Sequence, residues 1–213
     1  MNENLKRAIS GIIYIAVMWT CTSYSETTFS LLFAILGIIS IYEMWKLRKG
    51  KSKFLALLYI LLPFFLIQLF GMKDSNYPNT AFDPSLILLI LVLTWTFDTF
   101  AYLFGVTFGK HKIMPSISPK KSWEGFAGGF IFTIITAYII SEYLSTLNLG
   151  IIIITSLLLP FTATLGDFIA SFYKRQAGVK DSGNLIPGHG GILDRMDAFM
   201  ITIPMIYILT KIF

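Results

Sequence analysis

The chain has 213 residues, of which 55% are hydrophobic and only 14% charged, and its formal net charge is +5. Its mean hydropathy is +0.70, whereas soluble domains carry about 25% charged residues, so the polar surface is too small to cover a water-soluble globule. Lipid must solvate much of the chain, which excludes a soluble domain as the whole fold and leaves a polytopic helical membrane protein. The basic balance (pI near 9.2) belongs to loops held beside anionic headgroups, and no nucleic-acid partner is expected. Cys21 is the single cysteine, so neither an intramolecular disulfide nor a Cys-based zinc cluster is available.

Seven long apolar runs without ten-residue alternation predict an all-α transmembrane bundle of about seven helices. They cover 9–23, 27–45, 54–71, 85–104, 125–143, 150–170 and 197–213, the last close to the minimum for a span. The first follows Lys6-Arg7, and no convincing small-x-small cleavage pattern precedes Tyr24, so it is expected to be retained. Basic residues fall in alternate connections. Lys46, Arg48, Lys49, Lys51 and Lys53 follow the second run, and Lys110, Lys112, Lys120 and Lys121 follow the fourth. Lys174, Arg175, Lys180 and Arg195 surround the sixth-to-seventh connection, while the segments 24–26, 72–84 and 142–149 contain only Lys73 as a basic residue. The positive-inside rule then places the amino terminus in the cytoplasm and the carboxyl terminus outside. Two regions result: 1–84, with amino-terminal helices and a turn-rich external loop at 72–84, and 85–213, a catalytic core with cytoplasmic loops at 105–124 and 171–195.

Those two loops combine Gly and Pro with Lys and Arg, a composition that brings backbone N–H groups and cations around phosphate oxygens. In the second, Gly188-His189-Gly190-Gly191 precedes an apolar helix opening with Asp194, Arg195 and Asp197. Glycine permits close backbone approach there, and a new helix start presents N–H groups that suit an anion. Asp194 and Asp197 are three apart and share one helix face. Asp167 lies near the cytoplasmic end of the sixth run, and Asp98 within the fourth, about six residues from its predicted end. An ionised acid in a span costs about 2.5–3.5 kcal/mol on insertion scales, which makes each a functional candidate. A polar tether between helices is the alternative for Asp98. The topology sets all four acids at comparable depth, and hard oxygen ligands with phosphates suit Mg²⁺.

The P-loop, His-Glu-x-x-His and Gly-x-Ser-x-Gly patterns are absent. The glycines of 125–129 (GFAGG) fit close helix packing better than a phosphate loop.

The segment 171–197, SFYKRQAGVKDSGNLIPGHGGILDRMD, closely resembles the signature of bacterial phosphatidate cytidylyltransferases. Lys174-Arg175, Lys180-Asp181, Pro187, His189-Gly190-Gly191 and Asp194-Arg195-x-Asp197 all stand at that family's spacing. The resemblance extends to Asp98-Thr99, Phe108-Gly109-Lys110, the run from Ser118 to Gly125, Gly128-Gly129 and Gly166-Asp167. It continues more weakly at Leu5-Lys6-Arg7 and Glu43-x-Trp45.

The resemblance implies transfer of a cytidylyl group from CTP to phosphatidic acid, giving CDP-diacylglycerol and pyrophosphate. It implies a divalent metal, Mg²⁺ with room for a second cation, held by Asp167 and Asp194. Lys180 and Asp181 join these as implied catalytic residues. Lys120, Lys121, Ser171, Lys174, Arg175, His189, Gly190, Gly191, Arg195, Asp197 and Asp98 are the implied substrate-binding set. The implied setting is the bacterial inner (cytoplasmic) membrane, with the active site on the cytoplasmic side, the bilayer as partner and a homodimer left open. Val106 and Ala170 depart from the pattern, standing where many relatives have a basic residue and a Glu. The rival readings are a CTP-dependent lipid kinase and a transporter or scaffold without catalysis. A CDP-alcohol phosphotransferase is excluded, because its Asp-x2-Asp-Gly-x2-Ala-Arg pattern is missing.

Overall fold

A computed structural model describes residues 3–71, 82–144 and 146–212. Within them lie seven helices of fourteen or more residues, one four-residue helix and a two-stranded hairpin. The order is α1 (Glu3–Tyr24), α2 (Glu26–Leu47), α3 (Phe54–Gly71), α4 (Ser85–Phe108), β1 (Lys112–Met114), β2 (Ser118–Ser122), α5 (Trp123–Ser141), α6 (Leu149–Gln176), α7 (Leu193–Met196) and α8 (Phe199–Ile212). The all-α membrane bundle expected from the apolar runs is therefore the observed fold. Of the expected external loop at 72–84, residues 72–81 lie outside the described residues.

Local signals set several boundaries. Ser25 caps α2, and its side chain and that of Thr28 bond each other's backbone N–H in a capping box. Ser122 caps α5, and Asn148 caps α6 by accepting from Gly150 N at 2.7 Å. Five helices, α2 to α6, are long and apolar enough to cross a membrane. The two terminal helices fall short of that standard. α1 carries Lys6 and Arg7 in its opening turns, and α8 with 14 residues spans about 21 Å at 1.5 Å per residue.

The core is filled by side chains such as Phe29, Phe33, Ile60, Ile90, Leu93, Leu159 and Phe199, all almost fully buried. Large apolar residues such as Ile12, Ile38, Phe54, Phe65 and Tyr138 point outward, as a lipid-solvated bundle requires. The most extensive helix pairing is α4 with α5, and small residues bring the two close. A Cβ on Gly125 would stand 2.6 Å from the Ala101 carbonyl oxygen, and one on Gly129 2.7 Å from the Phe97 ring. The GFAGG segment is a packing seam, as its composition indicated. Elsewhere in the bundle the hydroxyls of Thr162 (α6) and Thr202 (α8) meet at 2.8 Å, satisfying each other away from water.

Both loops are shorter and more structured than expected. α4 continues to Phe108, so Asp98 lies ten residues from its end rather than six. The remainder of 105–124 folds as the β1–β2 hairpin. Glu124 ties it down by accepting from the N–H groups of Lys110 (3.1 Å) and His111 (3.2 Å) and from His111 Nδ1 at 2.6 Å. α6 likewise runs on to Gln176, which makes Ser171, Lys174 and Arg175 helical residues rather than loop residues. The positive end of an anion-binding helix is also not found where expected. Asp194 belongs to the four-residue α7, Asp197 follows it, and the long helix starts only at Phe199.

Candidate active site

Gly166 brings the acids together. Its lack of a side chain lets α6 press against the Asp197 carbonyl, a contact any Cβ would block. The hydroxyl of Tyr59, from α3, donates to the Gly166 carbonyl at 2.7 Å and lies 3.5 Å from that of Asp197. Asp167, the next residue along α6, thereby meets Asp197 side chain to side chain within hydrogen-bond reach. Two adjoining carboxylates require a cation or a proton between them.

Two lysines supply part of that charge. Lys121 Nζ reaches Asp167 Oδ2 at 2.5 Å from β2. Neighbouring residues of a strand face opposite sides, so Lys120 points outward and is exposed while Lys121 is half-buried over the acids. Lys174 is buried on α6, pairs with Asp194 Oδ1 at 2.7 Å and also feels Asp197 and Asp167. Ser171 is buried one turn below Asp167, with its hydroxyl 3.5 Å from Oδ1.

The Asp194 side chain is only 6% exposed. Its Oδ2 accepts from Ser182 N (2.8 Å) and Gly191 N (2.9 Å) and lies 3.0 Å from Ser182 Oγ. Gly190 has φ +85, and a Cβ there would stand 2.6 Å from that same Oδ2. The glycines of the signature thus wrap a carboxylate, and several of the N–H groups expected to await a phosphate, that of Gly191 among them, are already occupied. Those of Ile192 and Leu193 donate to Glu43, 149 and 150 residues away in sequence.

Glu43 is the residue that the sequence reading undervalued, along with Tyr59 and Ser10. Ser10 Oγ of α1 sits 3.0 Å from His189 Nδ1 and donates to the Pro187 carbonyl at 2.9 Å. His189 is therefore anchored to α1 by one ring nitrogen. Arg175 is exposed and bonds the carbonyls of Val179 (2.8 Å) and Ile117 (3.3 Å), tying α6 to the hairpin. Val106 is exposed, and Ala170 is fully buried.

Two of the spaces beside this cluster open onto it, and a third adjoins them. A basin of about 570 Å³ is lined by Lys6, Arg7, Lys180, Asp181, Asn184, His189 and Arg195. An adjoining cavity of about 310 Å³ is lined by Tyr14, Asp98, Thr99, His189, Asp194, Arg195 and Asp197. The third, of about 460 Å³, is an apolar groove between α1 and α2, with Lys6 and Ser10 among its lining residues. Arg195 borders the first two, and its buried Nε has no hydrogen-bond partner among the described residues. Asp98 is exposed on the cavity wall and makes no side-chain hydrogen bond among the described residues.

Among the described residues no three acids, histidines or cysteines converge as a ready metal cage. The donor set nevertheless fits Mg²⁺, which takes one or two carboxylates and completes its shell with phosphate oxygens and water. Asp167 and Asp197 adjoin, and Asp194 Oδ1 has Lys174 as its one protein partner.

Over 124 residues the chain is 44% identical to the phosphatidate cytidylyltransferase of Staphylococcus haemolyticus (strain JCSC1435) and 45% identical to that of Staphylococcus aureus (strain COL). Each match covers 58% of this chain and 48% of the relative, so the chain spans about half the length of the curated relatives it matches. The profile of the Cytidylyltransferase family matches residues 52–213, from just before α3 through the acid cluster to the end of the chain. A signature folded around buried acids, on a bundle matched over three-quarters of its length, makes this chain a member of the cytidylyltransferase family.

Proposed function

We propose that the chain transfers the cytidylyl group of CTP to phosphatidate, giving CDP-diacylglycerol and pyrophosphate for phospholipid synthesis. The observation that carries this reading is Arg195. A cation with an unpaired, buried Nε stands where a cation-lined basin meets an acid-lined cavity. A buried donor without a partner costs about 1–3 kcal/mol, and phosphate oxygens are acceptors that match a guanidinium in charge and geometry. The apolar groove shares Lys6, Ile186 and Pro187 with the basin, so a molecule with an anionic head and acyl chains fits across both.

In this reading a phosphatidate oxygen attacks the α-phosphorus of CTP as the α–β P–O bond breaks, and pyrophosphate departs with its electron pair. No protein nucleophile is required. Lys6, Arg7, Lys180 and Arg195 hold the phosphate oxygens, and His189 and Asp181 shape the basin around them. Lys120 extends the basic surface toward the lipid headgroup. Lys121 and Lys174 offset the charge of the carboxylates and orient them. Mg²⁺ is the proposed cofactor, held by Asp167 and Asp194 with Asp197 beside them, and when bound it supplies charge neutralisation of the polyphosphate. Orienting the two phosphates in line is the larger contribution of the protein.

Purified protein given labelled CTP, phosphatidate and Mg²⁺ should release CDP-diacylglycerol and pyrophosphate, and EDTA should stop it. Lipid phosphate plus CDP would identify a kinase instead. ATP and GTP should support little product where CTP saturates, and comparable turnover with ATP would end the cytidylyl assignment.

The orientation proposed is amino terminus and active site in the cytoplasm, within the bacterial inner membrane. Reporter fusions after Lys51, Lys120 and Lys180 should report cytoplasm, and fusions near Asn76 and at the carboxyl terminus the outside. An external signal at Lys120 or Lys180 would separate the site from cytoplasmic CTP and sink the mechanism.

A further inference from the structure

We infer that Glu43 is a positioning residue of the active site: from α2 it fixes the loop 182–193 and, through it, the geometry of Asp194. The inference rests on the proposed reaction for its kinetic consequence, but not for its structural one.

Glu43 is 5% exposed, and among the described residues no Lys, Arg or His lies within ion-pair distance of it. A buried carboxylate without a cation survives only where fixed donors replace its hydration. Here three do. Oε1 accepts from Ile192 N at 3.1 Å, and Oε2 accepts from Leu193 N at 2.9 Å and from Ser182 Oγ at 2.6 Å. The loop is built to admit this carboxylate. A Cβ on Gly183 would stand 2.6 Å from Oε1, and one on Gly191 would stand 2.5 Å from it. Two of the signature glycines are thus accounted for by one residue of α2.

The link to Asp194 is direct. Ser182 Oγ lies between Glu43 Oε2 and Asp194 Oδ2, and Ser182 N and Gly191 N, at the two sides of the loop, both donate to Asp194. A hydroxyl has one proton for two carboxylates, so the placement of each acid depends on the other. A hydrocarbon at position 43 would leave these donors without that acceptor. What only a carboxylate does is orient three donors of the loop that cradles the reaction's acid.

Glu43→Gln keeps the volume but replaces one acceptor oxygen with a donor NH₂, which faces a backbone N–H whichever way the amide turns. Glu43→Asp keeps the charge at shorter reach. The test is hydrogen exchange by mass spectrometry on the detergent-purified full chain, paired with steady-state kinetics. In Glu43→Gln, exchange across 182–193 should rise at least tenfold while α4 and α5 stay as in the parent. The kcat should fall at least thirtyfold and the KM for CTP should change less, with Glu43→Asp intermediate in both. Parent-like exchange across 182–193, or a parent-like kcat, would overturn the inference. So would a rise in exchange spread over all helices, because Glu43 would then be a general packing residue. Failure of the functional reading looks different. The parent protein would make no CDP-lipid, while the exchange of the loop would still decide whether Glu43 holds it.

Discussion

Asp194→Asn is expected to lower turnover at least a hundredfold, about 3 kcal/mol on the barrier, while the helices remain folded. The parent carboxylate is an acceptor on every side: Lys174 at Oδ1, and the N–H groups of Ser182 and Gly191 at Oδ2. An amide turned one way directs its NH₂ at Lys174, and turned the other way at two backbone N–H groups. Either orientation loses charge-assisted bonds and disturbs the glycine loop, and it removes one of the carboxylates proposed to hold Mg²⁺. Asp167→Asn should match it in activity but not in stability. The lost pair with Lys121 is offset by relief of the carboxylate contact with Asp197. The measurement is initial rate against Mg²⁺ for both variants, with monodispersity checked by gel filtration in detergent. Near-normal rates for a well-folded Asp194→Asn would refute the central role given to that residue.

Lys174→Met is expected to be the most destabilising single change at the site. The lysine side chain is 8% exposed, and it pairs with an acid that is 6% exposed. Removing one partner of a buried ion pair costs about 3–5 kcal/mol, because the other charge stays behind unpaired. Here the penalty is compounded, since Asp197 and Asp167 also lean on the same ammonium. The double variant Lys174→Met with Asp194→Asn should recover part of the stability, as methionine fills the volume and the amide carries no charge. It should recover none of the turnover. Thermal unfolding in detergent reads the first, and the CDP-lipid assay the second. A single variant as stable as the parent would mean that the pair is solvated and the acids are not held by Lys174.

The helices were legible from the chain itself because lipid solvation leaves a strong local signal. The predicted run 54–71 coincides with α3, and the runs at 27–45 and 125–143 differ from α2 and α5 by two residues or fewer at each end. The GFAGG seam was legible for a similar reason, since glycine inside an apolar helix has packing as its commonest use. The spaced Lys, Gly and Asp residues of 171–197 likewise marked where charge and backbone freedom concentrate. These are statements about neighbours in sequence, or about the solvent around them.

What the tertiary structure decided concerns partners far apart in the chain. α4 and α6 run past the ends of their apolar stretches, because packing sustains helix where hydropathy fades. The β1–β2 hairpin has a lysine-rich strand that reads as coil, and it is held by Glu124 and by Lys121 on Asp167. The sequence set four acids at similar depth but could not say which would touch. Gly166 settles that by admitting the Asp197 backbone, so Asp167 meets Asp197 while Asp194 turns to Lys174. Nor could it show that the N–H groups of the glycine loop would be filled by a glutamate on α2. Donor and acceptor there are about 150 residues apart in the chain, and no local rule pairs them. Burial pairs them, because a dry carboxylate and unbonded amides in the same place have each other as the remedy.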